Sequence, residues 1–296
     1  MRSRRPADRD GGTLMLTYEE FYRQATAEVA LREATVPLEL VKEQARHTPS
    51  PKDGLAVLHS RPGFVAIMGE IKRHTPTAGF LNPIEDPVEL AGEYVEGGAV
   101  AVSVVTDYPN YLGTSEDFVQ VRRALDVPLL RKEYVVTPYQ IHESRAMGAD
   151  MVLLMVALLE PMVLEALVER THSLGMCALV ECHSRLEARQ AISAGARLIG
   201  INARDRETGA VDLSMCEQTI DVIPPDITVV AESGVHGPQE VFDYARVGAD
   251  AILVGEALVR SPDPVGLLRK MTSAAQHPAL RPDRASRYRH KTEGTD

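Results

Sequence analysis

Glu70 and Lys72 stand two residues apart, directly after the apolar run Phe64-Val65-Ala66-Ile67-Met68. If that run is a strand, its period of two turns both side chains to one face. A carboxylate and an ammonium aimed into one cavity can trade protons with a polar substrate. An ion pair at a strand end is the plainer reading. The pattern recurs, however: Thr106 and Asp107, Lys132 and Glu133, Glu181, Asn202 and Arg204, and Glu232 and Ser233 all close apolar runs. Singly, each reads as well as a solvated loop residue. Repeated at run after run, they describe one polar cavity.

Two small turns, Ser233-Gly234-Val235 and Gly255-Glu256-Ala257, follow the last two runs. Glycine lets backbone approach a ligand, and N–H groups at a following helix start suit a phosphate. The alternative is that Gly234 and Gly255 only make tight turns. The three cysteines, Cys177, Cys182 and Cys216, are sparse and odd in number, which indicates reduced, buried thiols. Cys182 and His183 fall on opposite faces of a strand and no ligand spacing accompanies them, so no metal is expected.

Elements that could position these groups follow from a repeat. GGAVAVSVVT (97–106), GADMVLLMVA (148–157), GARLIGINAR (195–204) and GADAILVGEA (248–257) each pass from glycine into an apolar run. A glycine ending a helix with a strand directly after it is an αβ loop. The runs FVAIMGEIK, VPLLRKEY, CALVECH and TVVAESG fill the gaps, giving strand starts at 64, 99, 127, 151, 177, 198, 228 and 251. Between them, segments such as PMVLEALVERTHSL space apolar residues by three and four, as amphipathic helices do. Eight strands alternating with helices predict a (β/α)8 barrel of the TIM type, whose active face lies at the strands' C-terminal ends. A doubly wound sheet would carry a Gly-rich nucleotide turn after its first strand, and GEIKRHTPTAG is not one.

The 296 residues accommodate one such barrel plus an extension. Residues 1–12 and 277–296 are charged and rich in Pro and Gly, and disorder is expected there; 13–63 reads as a helical N-terminal extension and 64–276 as the barrel. A net charge of −10 argues against nucleic acid as partner, and no run approaches the ~18 apolar residues of a membrane span. No signal-peptide apolar stretch follows MRSRRPADRDGG, so the cytoplasm is the expected location, with the chain a monomer or weak homodimer.

The motifs Glu70-Ile71-Lys72-Arg73, PLLRKEY with PYQI, GADMVLLM, LVECH, GINARD, AESG and LVGEALVR resemble, in order and at barrel spacing, those of the indole-3-glycerol-phosphate synthases over residues 15 to 272. The resemblance implies a carbon–carbon lyase without cofactor. It would close an indole ring on the phosphosugar adduct of anthranilate, 1-(2-carboxyphenylamino)-1-deoxyribulose 5-phosphate, losing carbon dioxide and water. It casts Lys132 as general acid for ring closure and Glu181 as its counterpart in proton handling. Glu70, Asn202 and Glu232 are implied as polar supports, and Lys72 as a residue near the phosphate that also serves dehydration. Thr75 and Arg204 correspond to contacts of the anthranilate carboxylate, and Tyr111, Tyr134 and Leu153 to the ring pocket. Ser233, Gly234, Gly255 and Glu256 correspond to the phosphate cradle, Glu256 by its backbone N–H alone. For Lys132, burial and Lys72 should lower the pKa while Glu70 and Glu181 raise it.

The sequence departs from the family pattern at several points. The usual Ser-Pro-Ser loop is Thr75-Pro76-Thr77, two usual phenylalanines are Tyr111 and Tyr134, and the aspartate beside the lysine is Glu133. Arg206 and Gly209 stand where apolar residues are usual. The alternatives to the ordinary reaction are a paralogue acting on a substituted anthranilate, another phosphosugar enzyme such as a barrel isomerase, and a non-catalytic phosphosugar- or partner-binding barrel.

Overall fold

The structure is a computed structural model that describes residues 17–59, 64–205, 209–277 and 280. Eight parallel strands close into a barrel: β1 (Ala66–Ile71), β2 (Ala101–Val105), β3 (Leu129–Lys132), β4 (Met151–Met155), β5 (Cys177–Cys182), β6 (Leu198–Asn202), β7 (Thr228–Glu232) and β8 (Ala251–Val254). Each pairs with its sequence neighbour, and β1 closes the ring on β8 through Ala66↔Ala251 to Gly69↔Val254. This is the (β/α)8 architecture expected of the spacing. Five strands start where the sequence reading puts them, and the first three start two residues late. At β3 the cause is plain: Pro128 has no N–H to donate to the ladder.

The glycine repeat has a structural origin. Gly148 and Gly248 adopt φ of 85° and 109°, reversing the chain between helix and strand. The aspartates that follow two residues later tie the strand starts together. Asp150 Oδ2 accepts the N–H of Leu129 at 2.7 Å, and Asp250 Oδ2 that of Val229 at 2.8 Å. A buried carboxylate holding a backbone donor favours one strand register over a slipped one.

Before β1 come α1 (Tyr18–Thr35), α2 (Leu38–His47) and α3 (Gly54–Leu58). Thr17 and Glu20 form a capping box that starts α1, with Glu20 N to Thr17 Oγ1 at 3.2 Å and Thr17 N to Glu20 Oε2 at 2.7 Å. The extension is packed on the barrel's flank: Val29 and Val41 share a small core with Tyr139, whose hydroxyl donates to Val36 O at 3.0 Å. α3 contacts β1, β2 and β7, and Gly54 lies so close to Met151 that a Cβ there would meet its sulfur at 2.7 Å. Leu58 is fully buried. Burying such a side chain contributes about 1.5–3 kcal/mol, which anchors the extension to the barrel.

Of the 1–12 and 277–296 segments, only His277 and Leu280 are described; the expectation of disorder otherwise falls outside the described residues. Among the described residues no helix is long and apolar enough to cross a membrane.

Candidate active site

The cavity at the strands' C-terminal ends is lined by Glu70, Lys72, Lys132, Glu181, Asn202 and Glu232. Thr75, Tyr111, Tyr134, Leu153 and Arg204 line it too, as do Ser233, Gly234, Gly255 and Glu256. Every residue that the family resemblance assigned to the site therefore faces one space, whereas Thr106 does not line it and donates to Glu133 Oε2 at 2.9 Å. Period two explains the strand residues, because alternate positions of each strand point inward.

Charge is concentrated at the centre. Lys132 Nζ lies 2.9 Å from Glu232 Oε2 and 3.0 Å from Glu70 Oε2, and Lys72 Nζ lies 2.5 Å from Glu70 Oε1. Burial opposes the Glu70 charge, but Lys132 and Lys72 outweigh it and bring its pKa down to about 2. Burial likewise opposes the charge on Lys132. Glu232, Glu70 and Glu181 overcome this and hold it well above the usual lysine range. The sequence reading named Glu70 and Glu181 as raising influences and Lys72 as a lowering one, but omitted Glu232, the strongest of those that raise it. Glu232 itself is pushed up to about 7 by burial and by Glu181 and Glu70, against the attraction of Lys132. Two lysines cannot neutralise three buried carboxylates, and Glu232 is the one driven towards protonation. Its Oε1 sits in space that a Cβ on residue 200 would fill at 2.3 Å, which is why Gly200 stands there.

Asn202 ties the next strands together. Its amide donates to Glu181 Oε1 at 3.3 Å, while its oxygen accepts from Ser233 Oγ at 2.7 Å and from Arg204 N at 3.1 Å. Arg204 donates from NH1 to Gly209 O at 3.0 Å. Glu256 Oε1 is drawn off towards Arg260 Nε at 3.2 Å, which leaves its carboxylate engaged on its own helix. After β1, residues His74–Thr75 and Gly79–Phe80 form a short hairpin, and Thr75, Pro76 and Thr77 line the cavity mouth. Arg206, noted as unusual in sequence, lies outside the described residues.

Barrel order separates the cavity into two halves. Tyr111 and Tyr134 follow the ends of β2 and β3 and Leu153 lies in β4, three consecutive strands, joined in the lining by Val105 and Met155. Ser233, Gly255 and Lys72 directly follow the consecutive strands β7, β8 and β1 on the other side. One half is aromatic and apolar, the other rich in glycine and carrying a cation. The hydroxyls of Tyr111 and Tyr134 approach within 3.4 Å of each other.

One contribution escaped the sequence reading, and one residue read there only as a polar strand end proves to be electrostatically unusual. Phe21 of α1 enters the cavity wall and stacks on Tyr134 with ring centroids 4.7 Å apart. An apolar residue on an amphipathic helix looks the same in sequence whether it anchors the helix or lines a site. Asp107 lines the cavity as well; burial and Glu133 push its pKa up to about 7. Behind it Arg131 is wholly buried, bonded to Glu143 Oε2 at 2.8 Å, Ser144 Oγ and Thr106 Oγ1 at 3.1 Å, and Glu133 Oε2 at 3.5 Å. Leaving such a buried charge without one of its acidic partners costs about 3–5 kcal/mol, so this network fixes the strand that carries Lys132.

A family model for indole-3-glycerol phosphate synthase matches residues 18–271. The chain belongs to the indole-3-glycerol phosphate synthase family. It is 49% identical over 267 residues to the indole-3-glycerol phosphate synthase of Beutenbergia cavernae, covering 90% of this chain and 98% of the relative. Identity to the synthase of Mycolicibacterium vanbaalenii is also 49%, over 86% of this chain and 92% of the relative. Solved structures share the fold at lower identity. The 3-hexulose-6-phosphate synthase of Salmonella typhimurium matches with a TM-score of 0.59 at 16% identity, over 72% of this chain and all of that one. The thiamine phosphate pyrophosphorylase of Pyrococcus furiosus gives 0.54 at 19%, over 73% of this chain and 96% of that one.

Proposed function

We propose that this synthase-family barrel converts 1-(2-carboxyphenylamino)-1-deoxyribulose 5-phosphate into indole-3-glycerol phosphate, carbon dioxide and water. The observation that carries the reading is that Lys132, on β3 beside the aromatic half, reaches Glu70 of β1 and Glu232 of β7 in the glycine-rich, cationic half of the same cavity. An anthranilate ring suits the first half and a phosphate the second, so the substrate's ketone comes to rest near the ammonium.

The chemistry then needs protons at defined atoms. The ring carbon that bears the carboxylate attacks the ketone carbon, and Lys132 gives a proton to the ketone oxygen. The carbon–carboxylate bond breaks, releasing carbon dioxide and restoring the aromatic ring. The new hydroxyl leaves as water with a second proton, assigned to Lys72, and the methylene carbon between the nitrogen and the former ketone carbon gives up a proton to Glu181, which completes the indole double bond. Two protons are delivered and one is recovered, so each turnover draws one proton from solvent. Lys132 bound to ionised Glu232 is a reluctant acid. A proton on Glu232 removes that attraction and makes the ammonium a better donor, and a pKa pushed up to about 7 makes this state accessible.

Thr75 and Arg204 are assigned to the substrate carboxylate, Tyr111, Tyr134 and Leu153 to the ring, and Ser233, Gly234, Gly255 and the Glu256 N–H to the phosphate. Lys72 serves both phosphate and dehydration. The test is direct: incubation with the carboxyphenylamino-deoxyribulose phosphate should produce indole fluorescence, and a protein that binds this compound without converting it would be a non-catalytic barrel.

A further inference from the structure

Glu181 lines the cavity and also meets a histidine. His183 Nε2 lies 3.5 Å from Glu181 Oε1, and its Nδ1 lies 3.4 Å from Glu187 Oε2. The ring thus stands between two carboxylates, one at the end of β5 and one in the helix Arg185–Ser193. Exposure rises along the row: 4% of the Glu181 side chain is accessible, 13% of His183 and 23% of Glu187. Glu187 is pinned in place, since its Oε2 also accepts the backbone N–H of His183 at 2.7 Å. Tyr18 of α1 packs its ring edge-on to the imidazole, with centroids 6.5 Å apart.

We propose that His183 is a positioning residue for Glu181 and the first step of a proton path from that carboxylate to solvent through Glu187. The inference rests on the assignment of Glu181 as the group that takes a proton from the substrate. Such a group has to return that proton each turnover, and Glu181 is nearly sealed from water on its own. An imidazole can take a proton at Nε2 and release one at Nδ1, which neither a carboxylate nor an amide relay does as readily near neutral pH. The two spacings are a few tenths of an ångström beyond hydrogen-bond length, and such contacts commonly tighten when substrate binds. Asn202 also donates to Glu181 Oε1 at 3.3 Å, which holds the carboxylate while the imidazole closes the remaining few tenths of an ångström. Glu181 from β5, Glu187 from its helix and Tyr18 from α1 all face His183.

The experiment compares wild type with His183→Asn, Glu187→Gln, Glu181→Gln and the Glu181→Gln/His183→Asn pair. Each is assayed for kcat, KM, solvent deuterium isotope effect and Tm. Wild-type turnover checks the functional reading separately; if wild type is inactive, that reading has failed and the inference with it. Given an active wild type, His183→Asn should lower kcat roughly 10- to 100-fold with KM within about twofold and a raised isotope effect. Glu187→Gln should show a smaller fall of the same kind, and His183→Asn should cost nothing further once Glu181 is an amide. Full kcat in His183→Asn would overturn the proposal. So would equal losses with and without the Glu181 carboxylate. Glu187→Gln keeps its acceptor for the backbone N–H, so if His183→Asn does not fold, an unchanged kcat and isotope effect in Glu187→Gln would refute the path.

Discussion

Lys132 and Glu232 meet across the barrel interior, Nζ to Oε2 at 2.9 Å, although a hundred positions separate them in sequence. The contact joins β3 to β7, and each partner sets the other's readiness to hold a proton. Lys132→Ala should therefore act twice. Turnover should fall at least roughly 100-fold, because a transition-state proton donor contributes to rate more than to ground-state affinity. The variant also leaves Glu70 and Glu232 facing one lysine, so its Tm should fall further behind wild type as pH rises and both carboxylates ionise. Steady-state kinetics alongside thermal melts at acid and alkaline pH check both; near-normal turnover rejects the acid assignment.

Asp107 offers a pH prediction of a different kind. Its pKa moves from 3.8 in the free residue to about 7 here, through burial and Glu133. A group raised on folding contributes stability that is complete below its unfolded pKa and lost as pH rises through its folded one. Asparagine does not titrate, and its side-chain oxygen can still accept the Asn110 N–H that Asp107 accepts at 2.9 Å. Denaturant melts of Asp107→Asn should therefore show stability gained relative to wild type between pH about 4 and about 8. A constant gap across that range would place the carboxyl in an ordinary ionised state.

The phosphate half is best probed away from Gly234. Its φ is 71°, and a Cβ there would meet Val211 Cγ1 at 2.4 Å, so Gly234→Val would dislodge a loop as well as crowd a phosphate. A Cβ on Gly255 meets Glu70 Oε1 at 2.7 Å and Lys72 Nζ at 2.9 Å, groups at the end of β1. Gly255→Ala should raise KM and lower kcat together, since it presses on the ion pair and on the proposed phosphate seat. Inorganic phosphate should compete with substrate in wild type and do so more weakly in the variant. Equal binding of phosphorylated and dephosphorylated substrate would remove the cradle from this part of the barrel.

Tyr111 and Tyr134 place two hydroxyls where the family pattern has phenylalanine, and these approach each other at 3.4 Å. Groups that serve one another need nothing from a ligand. The Tyr111→Phe, Tyr134→Phe double variant should accordingly keep the wild-type ratio of kcat/KM between the parent anthranilate adduct and ring-hydroxylated or ring-amino adducts. A shift towards the parent in the double variant would show that the hydroxyls select a substituted ring, since a pocket hydrogen bond discriminates strongly.

The barrel was readable because its signals are local. Glycine before an apolar run marks four of the helix-to-strand turns, and strand after strand ends in a polar residue at the inward period. The members of the cavity were readable for the same reason. Its electrostatics were not: the pull of Glu232 on Lys132 depends on which strands face each other across the ring, which no local pattern states. Phe21 was hidden by ambiguity of another sort, as a helix buries apolar residues whatever they touch. The His183 row was also out of reach, since LVECH shows a histidine beside a cysteine but not the carboxylate four residues on that turns back towards it.

α1 reaches over the cavity mouth at two points, Phe21 against Tyr134 after β3 and Tyr18 against His183 after β5. α1, the first helix along the described chain, therefore completes a pocket whose other walls are still to be synthesised when it leaves the ribosome, and it has to wait for them. Turnover should accordingly appear late in refolding, after barrel closure has built the surfaces that receive the helix. A permuted chain that carried α1 at its far end on a linker long enough to reach the mouth would keep the pocket, while one that lost the helix would keep a barrel with an unroofed site.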